Sequence, residues 1–142
     1  MKLITKKWLD KAKEDLDVVS EIISREHLTS MVAFHSQQAV EKTLKAIIEE
    51  FEIDFVKTHN LERLLGIIGK QVNLDVDIII IKRLDEVYIS ARYPSDLGLL
   101  PFGKPSIQDA KESLKIMGLN KIDFKFFNNS LQGLLHGLLR MK

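Results

Sequence analysis

The sequence predicts an all-α protein, an up-and-down four-helix bundle with an additional short helix and a divergent C-terminal tail. Three observations carry that prediction. Two stretches of about 20 residues repeat their apolar positions every three or four residues, the period of a helix with one buried face. The run Ile78 to Ile81 continues in the same period through Leu84, Tyr88 and Ala91, well past the length of a strand. No second strand candidate stands near those isoleucines to pair with them.

The first helix is read from Lys7, with Trp8, Ala12, Leu16, Val19 and Ile23 as its apolar positions. A break at Arg25 to Thr29 precedes a second helix, whose stripe is Ala33, Val40, Leu44, Ile47, Ile48 and Phe51 and whose start Thr29 or Ser30 can cap. Two helices of this length joined by a short break form an antiparallel hairpin. Thr58 is the candidate N-cap of a shorter helix carrying Leu61, Leu64, Leu65 and Ile68, with Gly66 and Gly69 weakening it and helping to end it near Lys70. A fourth helix begins at Asp75 or Asp77 and stops before Pro94. Closely spaced prolines and glycines make residues 94–105 a loop, and Ser106 to Asp109 reads as a capping box opening a fifth helix to about Met117. Beyond Gly118 the texture changes to a phenylalanine cluster at Phe124, Phe126 and Phe127, followed by a stripe of Leu131, Leu134, Leu135, Leu138 and Leu139. Residues 1–117 therefore read as the bundle, and residues 118–142 as a tail that packs on it or forms a subunit contact.

The 142 residues are enough for one domain with its own core. A net charge of +1 provides no strong field for nucleic acid, so RNA is possible but not favoured and any anion site is local. The absence of cysteine excludes disulfides, thiolate zinc sites and a cysteine nucleophile, and fits a reducing, cytoplasmic compartment. No apolar segment approaches the roughly 20 residues that a membrane span needs, and charged residues directly follow the basic N-terminus, which leaves no signal core. The four histidines, His27, His35, His59 and His136, include no pair one helical turn apart, so no metal is expected. No cofactor is expected either, and phosphate-binding glycine loops and the nucleophile elbow are missing.

The chemistry concentrates in the second helix. His35, Gln38, Lys42 and Lys45 fall on one side of it, away from the Ala33, Val40 and Leu44 stripe. If that side is solvated, pairs such as Glu41 with Lys45 are worth only a few tenths of a kcal/mol. If it lines a cleft, its residues are ligand contacts. Asp15 lies beside Trp8 and Ala12 on the wheel and needs a partner, for which Lys42 and His35 of the facing helix are the candidates; a polar network of Asp15 and Lys42 would hold the hairpin in register. Arg92 and Tyr93, where the fourth helix ends, have the chemistry of a phosphate and base clamp. His59, read at the first turn of the third helix, stands near free backbone amides that favour an anion.

Taken together, Trp8, Ala12, Asp15 and Leu16, then Phe34-His-Ser-Gln-Gln-Ala-Val-Glu-Lys-Thr-Leu-Lys45, then Lys57-Thr-His-Asn-Leu61 and Ala91-Arg-Tyr-Pro94, resemble the HEPN domain family over about residues 5–117. The resemblance implies a helical bundle that commonly dimerises, binds nucleotides and occurs in prokaryotes beside small nucleotidyltransferases as a toxin-antitoxin-like module. It also implies that many members are metal-independent ribonucleases or toxins, using an arginine followed a turn or so later by a histidine, brought together across a dimer. No histidine follows Arg92 at that distance here, so a proton carrier is missing from that place. The expectation is a non-catalytic homodimer binding a nucleotide, a nucleotidyltransferase partner or both, with His35, Gln38, Lys42, His59, Arg92 and Tyr93 as candidate contacts. The alternatives are a ribonuclease with a variant site, in which Arg92 holds the phosphate and His35 or His59 moves the proton, and a purely structural interaction module.

Overall fold

The computed structural model describes residues 1–71, 78–92 and 108. Among them are four α-helices, α1 (Leu3–Ile22), α2 (Thr29–Phe51), α3 (Leu61–Ile68) and α4 (Ile78–Arg92), with one 3-10 turn at Glu26–Leu28 and no strand. Ile78 to Ile81 open α4 as a helix. The expected fifth helix apart from Gln108, the 94–105 loop, the tail and the boundary near residue 117 lie outside the described residues.

α2 is the axis of the bundle. α1 packs antiparallel to it, since Asp15 meets His35 and Lys42 while Thr5 and Lys2 meet Glu50. α4 is antiparallel to α2 as well: Ile81 and Leu84 join Leu44, Ile47 and Ile48 in one core cluster, while Tyr88 stacks on Phe34 with ring centroids 5.5 Å apart. Leu61, Leu64 and Ile68 bring α3 into that cluster, and Leu65, expected with them, is only partly buried at its edge. A smaller cluster, Val19 and Val32 with Ile22 and Ile23, closes the turn end of the hairpin.

Helix starts differ from the sequence reading, and each difference has a physical cause. α1 starts at Leu3, four residues before Lys7, because the buried Glu50 carboxylate of α2 accepts from the Lys2 amide and the Thr5 hydroxyl, both at 2.8 Å. Burial pushes the Glu50 carboxyl up, but the Lys2 amide, the Thr5 hydroxyl and the N-terminal ammonium together outweigh it and leave it below its ordinary 4.5. Neither Thr29 nor Ser30 caps α2: its N-cap is Leu28, the preceding 3-10 turn runs straight into the helix, and Thr29 lies inside it. α3 is capped by Asn60, whose side chain accepts from the Arg63 amide at 2.7 Å, while the Thr58 hydroxyl accepts from Asn60 itself at 3.2 Å. The Asp85 carboxylate, reaching over from α4, takes the Leu61 amide at 2.9 Å and the Glu62 amide at 3.3 Å. The amides that an α-helix leaves open at its start are thereby satisfied.

At its other end α2 closes with Glu52 in the left-handed conformation, φ 52°. The Ile53 amide donates to the Ile48 carbonyl at 3.1 Å, and Ile53 packs beside Ile48 on the core. This is a Schellman turn with a non-glycine residue at the position that glycine usually takes. It sends residues 53–60 back along the bundle.

Burial is the main influence on Asp85 and raises its carboxyl above the ordinary 3.8, against the opposing pull of the Leu61 and Glu62 amides and the nearby Gln37 amide. With the folded value raised, the contribution of this group to stability is fully present below 3.8 and is lost as pH rises through its folded value. Asp85→Asn keeps one acceptor for α3 and cannot ionise. Urea unfolding should therefore show it gaining stability relative to the parent as pH rises from about 4 to 7, whereas a constant difference would show that Asp85 titrates normally. Asp85→Ala, which removes the acceptors altogether, should cost about 1–2 kcal/mol at about pH 4 and less at about pH 7.

Candidate functional site

The polar side of α2 is only partly open. Beside it, on the buried stripe, lie Gln37, fully buried, and Glu41, only 3% exposed, and such groups are retained only when paired. The Glu41 carboxylate is held by Lys45 Nζ at 2.7 Å and His59 Nδ1 at 3.0 Å, with Gln38 Nε2 at 3.5 Å. Gln37 donates to the His59 carbonyl at 2.9 Å and accepts from Gln38 at 3.1 Å. The Glu41–Lys45 pair is consequently an internal one, contrary to the solvated reading.

One turn nearer the start of α2, the Asp15 carboxylate receives His35 Nδ1 at 2.9 Å on one oxygen and Lys42 Nζ on the other. His35 and Lys42 keep 22% and 21% of their side-chain surface open. The carboxylate accepts, so Nδ1 of His35 carries the proton and Nε2 is the nitrogen left for other chemistry. The Phe34 ring meets His35 edge-on at 5.3 Å. His35, Gln38, Lys42 and Lys45 thus form one partly open polar stripe that ties α2 to α1 and to the segment after Glu52.

His59 precedes α3 instead of sitting in its first turn, because Asn60 takes the N-cap. The α3 amides are already satisfied by Asn60 and Asp85, so they offer nothing to an anion at His59. Its own imidazole is turned to Glu41 and stays 69% exposed. Beside it opens a cleft of about 330 Å³, lined by Trp8 of α1, Lys45 and Ile48 of α2, and Phe55, Lys57 and His59 of the 53–60 segment. Lys45 Nζ lies 5.5 Å from the centre of the Trp8 ring, and Lys57 Nζ lies 5.6 Å from that of Phe55.

Arg92 closes α4; its side chain and Tyr93 lie outside the described residues. The backbone still positions Arg92. Asp85 contacts Leu61, two residues from His59, and Arg92 is seven residues further along the helix, so its Cα is about 10 Å beyond that level. His59 therefore meets the stripe at the level of Gln37 and Glu41, while Arg92 lies beyond its His35 end. Among the described residues no group of three or more histidine, aspartate or glutamate side chains is arranged to hold a metal ion.

The HEPN domain profile matches residues 5–119. The chain belongs to the HEPN domain family. Two solved structures share its fold: TT1696 from Thermus thermophilus, with 22% identity, a TM-score of 0.60 and 96% of each chain covered, and ST0689, described as an archaeal HEPN homologue, with 18% identity, a TM-score of 0.58, and 97% of this chain and 99% of that one covered. No curated protein matches. HEPN proteins have roles connected with nucleotides and RNA, and HEPN domains commonly dimerise. No helix among the described residues is long and apolar enough to cross a membrane.

Gln37, Glu41 and Asp85 were not among the residues singled out from the sequence, although a signal existed. Gln37 and Glu41 fall in step with Ala33, Leu44 and Ile48 on the buried stripe, where a polar residue demands a partner. Phe55 and Lys57 sit in an irregular segment with no period to read.

Lys42→Met removes the ammonium from the nearly buried Asp15 carboxylate and is expected to cost about 2 kcal/mol in denaturant unfolding. A double-mutant cycle with Asp15→Asn should return a coupling of about 1 kcal/mol or more. Additive effects would show that the two side chains act independently.

Proposed function

We propose that this HEPN protein is non-catalytic and works as a cytoplasmic homodimer that binds a nucleotide, a nucleotidyltransferase partner or both, in the manner of a toxin-antitoxin module. The observation that supports this most is the stripe itself. His35, Gln38 and Lys42 are paired to carboxylates or amides on one side and keep part of their surface open on the other, which is how a preorganised binding surface differs from a sealed core network. Arg92, followed in sequence by Tyr93, closes α4 beyond the His35 side of the stripe, and His59 stands beside the cleft on its other side. The non-catalytic part of the reading is supported by the sequence after Arg92, Tyr93-Pro-Ser-Asp-Leu-Gly98, which holds no group able to relay a proton at neutral pH in the way histidine does.

A ribonuclease reading has one observation in its favour. Tyr88 packs on Phe34, so Arg92 ends α4 only about one turn, roughly 6 Å, beyond the neighbour of His35. His35 in turn is oriented through Nδ1 by Asp15, as a general base would be. Prolonged incubation of total RNA with concentrated protein separates the two readings, and intact RNA eliminates cleavage.

Calorimetric titration with ATP, GTP and nucleoside monophosphates should give heat with at least one of them, and silence with all would defeat the ligand half of the proposal. Arg92→Ala and His59→Ala then assign the binding side, since the variant at the occupied side should lose at least about fivefold in affinity, or about 1 kcal/mol.

A further inference from the structure

We infer that the ligand sits on the His59 side, in the cleft between α1 and the 53–60 segment, and that it is a nucleoside monophosphate, with its base on Phe55 and its phosphate on Lys57. This rests on the nucleotide-binding reading and assigns residues and a ligand class to it.

Phe55 is the first observation. A phenylalanine 80% exposed on a segment whose neighbours Ile53 and Val56 both pack onto the core contributes nothing to folding by staying outside. It lines the same cleft as Trp8, so two aromatic rings from separate parts of the chain adjoin one cavity. At about 330 Å³ that cavity is at the small end of ligand pockets and suits a base with its sugar better than a larger molecule. Exposed rings in such a position are the usual platforms for stacking a base.

Charge sets the phosphate count. Lys45 is already matched to Glu41, whereas Lys57 has no carboxylate partner among the described residues and rests over the Phe55 ring, next to where a stacked base would lie. The same lining also carries Glu49 and Asp54. With Lys45 matched to Glu41, Lys57 is the one lysine of the lining left for a phosphate, and Glu49 and Asp54 leave no surplus of positive charge for a triphosphate. One unmatched ammonium suffices for a single phosphate. The His59 imidazole, largely open and fixed through Nδ1, offers Nε2 as a further polar contact at the cleft wall.

Trp8 is the chain's sole tryptophan and lines the cleft, so its fluorescence reports occupancy directly. The full chain is titrated with AMP, adenosine and ATP, by fluorescence and by calorimetry in parallel. AMP should change Trp8 emission and bind at least as tightly as ATP. Phe55→Ala should weaken AMP about tenfold, Phe55→Trp should restore it, and Lys57→Met should weaken AMP while leaving adenosine unchanged. Phe55 is exposed, so these variants test binding without disturbing the core. If AMP gives heat that Phe55→Ala leaves intact and Arg92→Ala abolishes, the ligand is on the other side and this inference falls while nucleotide binding stands. ATP binding more than tenfold tighter than AMP overturns the assignment of ligand class. No heat with any nucleotide overturns both the inference and the reading beneath it.

Discussion

A buried carboxylate on the central helix dictates much of this architecture. Glu41 lies where the apolar period of α2 calls for a leucine, and a charge so placed costs several kcal/mol unless it is matched and hydrogen bonded. Lys45 supplies one partner from the same helix. The other, His59, comes from a segment 18 residues away, so satisfying Glu41 fixes the path of the chain after α2. Gln37 clamps that path a second time by donating to the His59 carbonyl. The cleft is the space left between a segment held in this way and the tryptophan face of α1.

A second carboxylate extends the same logic to the rest of the bundle. Asp85 binds the start of α3 from across the core, so α3, α4 and the segment before α3 are positioned by one side chain. Glu50 does the equivalent for the start of α1. In both cases the start of one helix takes its acceptor from another helix. Helix ends and helix packing are therefore coupled: an end cannot fray without uncovering a buried charge.

That coupling explains what could be read from the sequence. The bodies of the helices are written in local periods, and Ala12, Leu16, Val19, Leu44, Leu61, Leu64, Ile81 and Leu84 are buried as their spacing predicts. The starts of α1 and α3 are written elsewhere in the chain, in Glu50 and Asp85, so a local reading shifts α1 to Lys7 and makes Thr58 the cap in place of Asn60. His35, Gln38 and Lys42 are found by their type and face, whereas Gln37 and Glu41 are passed over because polar residues are read as outward when their position says inward. The cleft depends on the left-handed turn at Glu52, which has no glycine to announce it.

The polar contacts between α1 and α2 also have an order in sequence. Asp15 meets His35 across 20 residues and Lys42 across 27, then Thr5 meets Glu50 across 45, and the Lys2 amide meets it across 48. Closing a loop costs entropy that grows with its length, and every contact made shortens the loop remaining for the next. Chain-length arithmetic thus favours a hairpin that zips from the Glu26–Leu28 turn outwards, with Asp15 as its first polar latch and Glu50 as its last. The residues that make the stripe a candidate binding surface are, on this account, also those that set the register of the hairpin while the protein is folding.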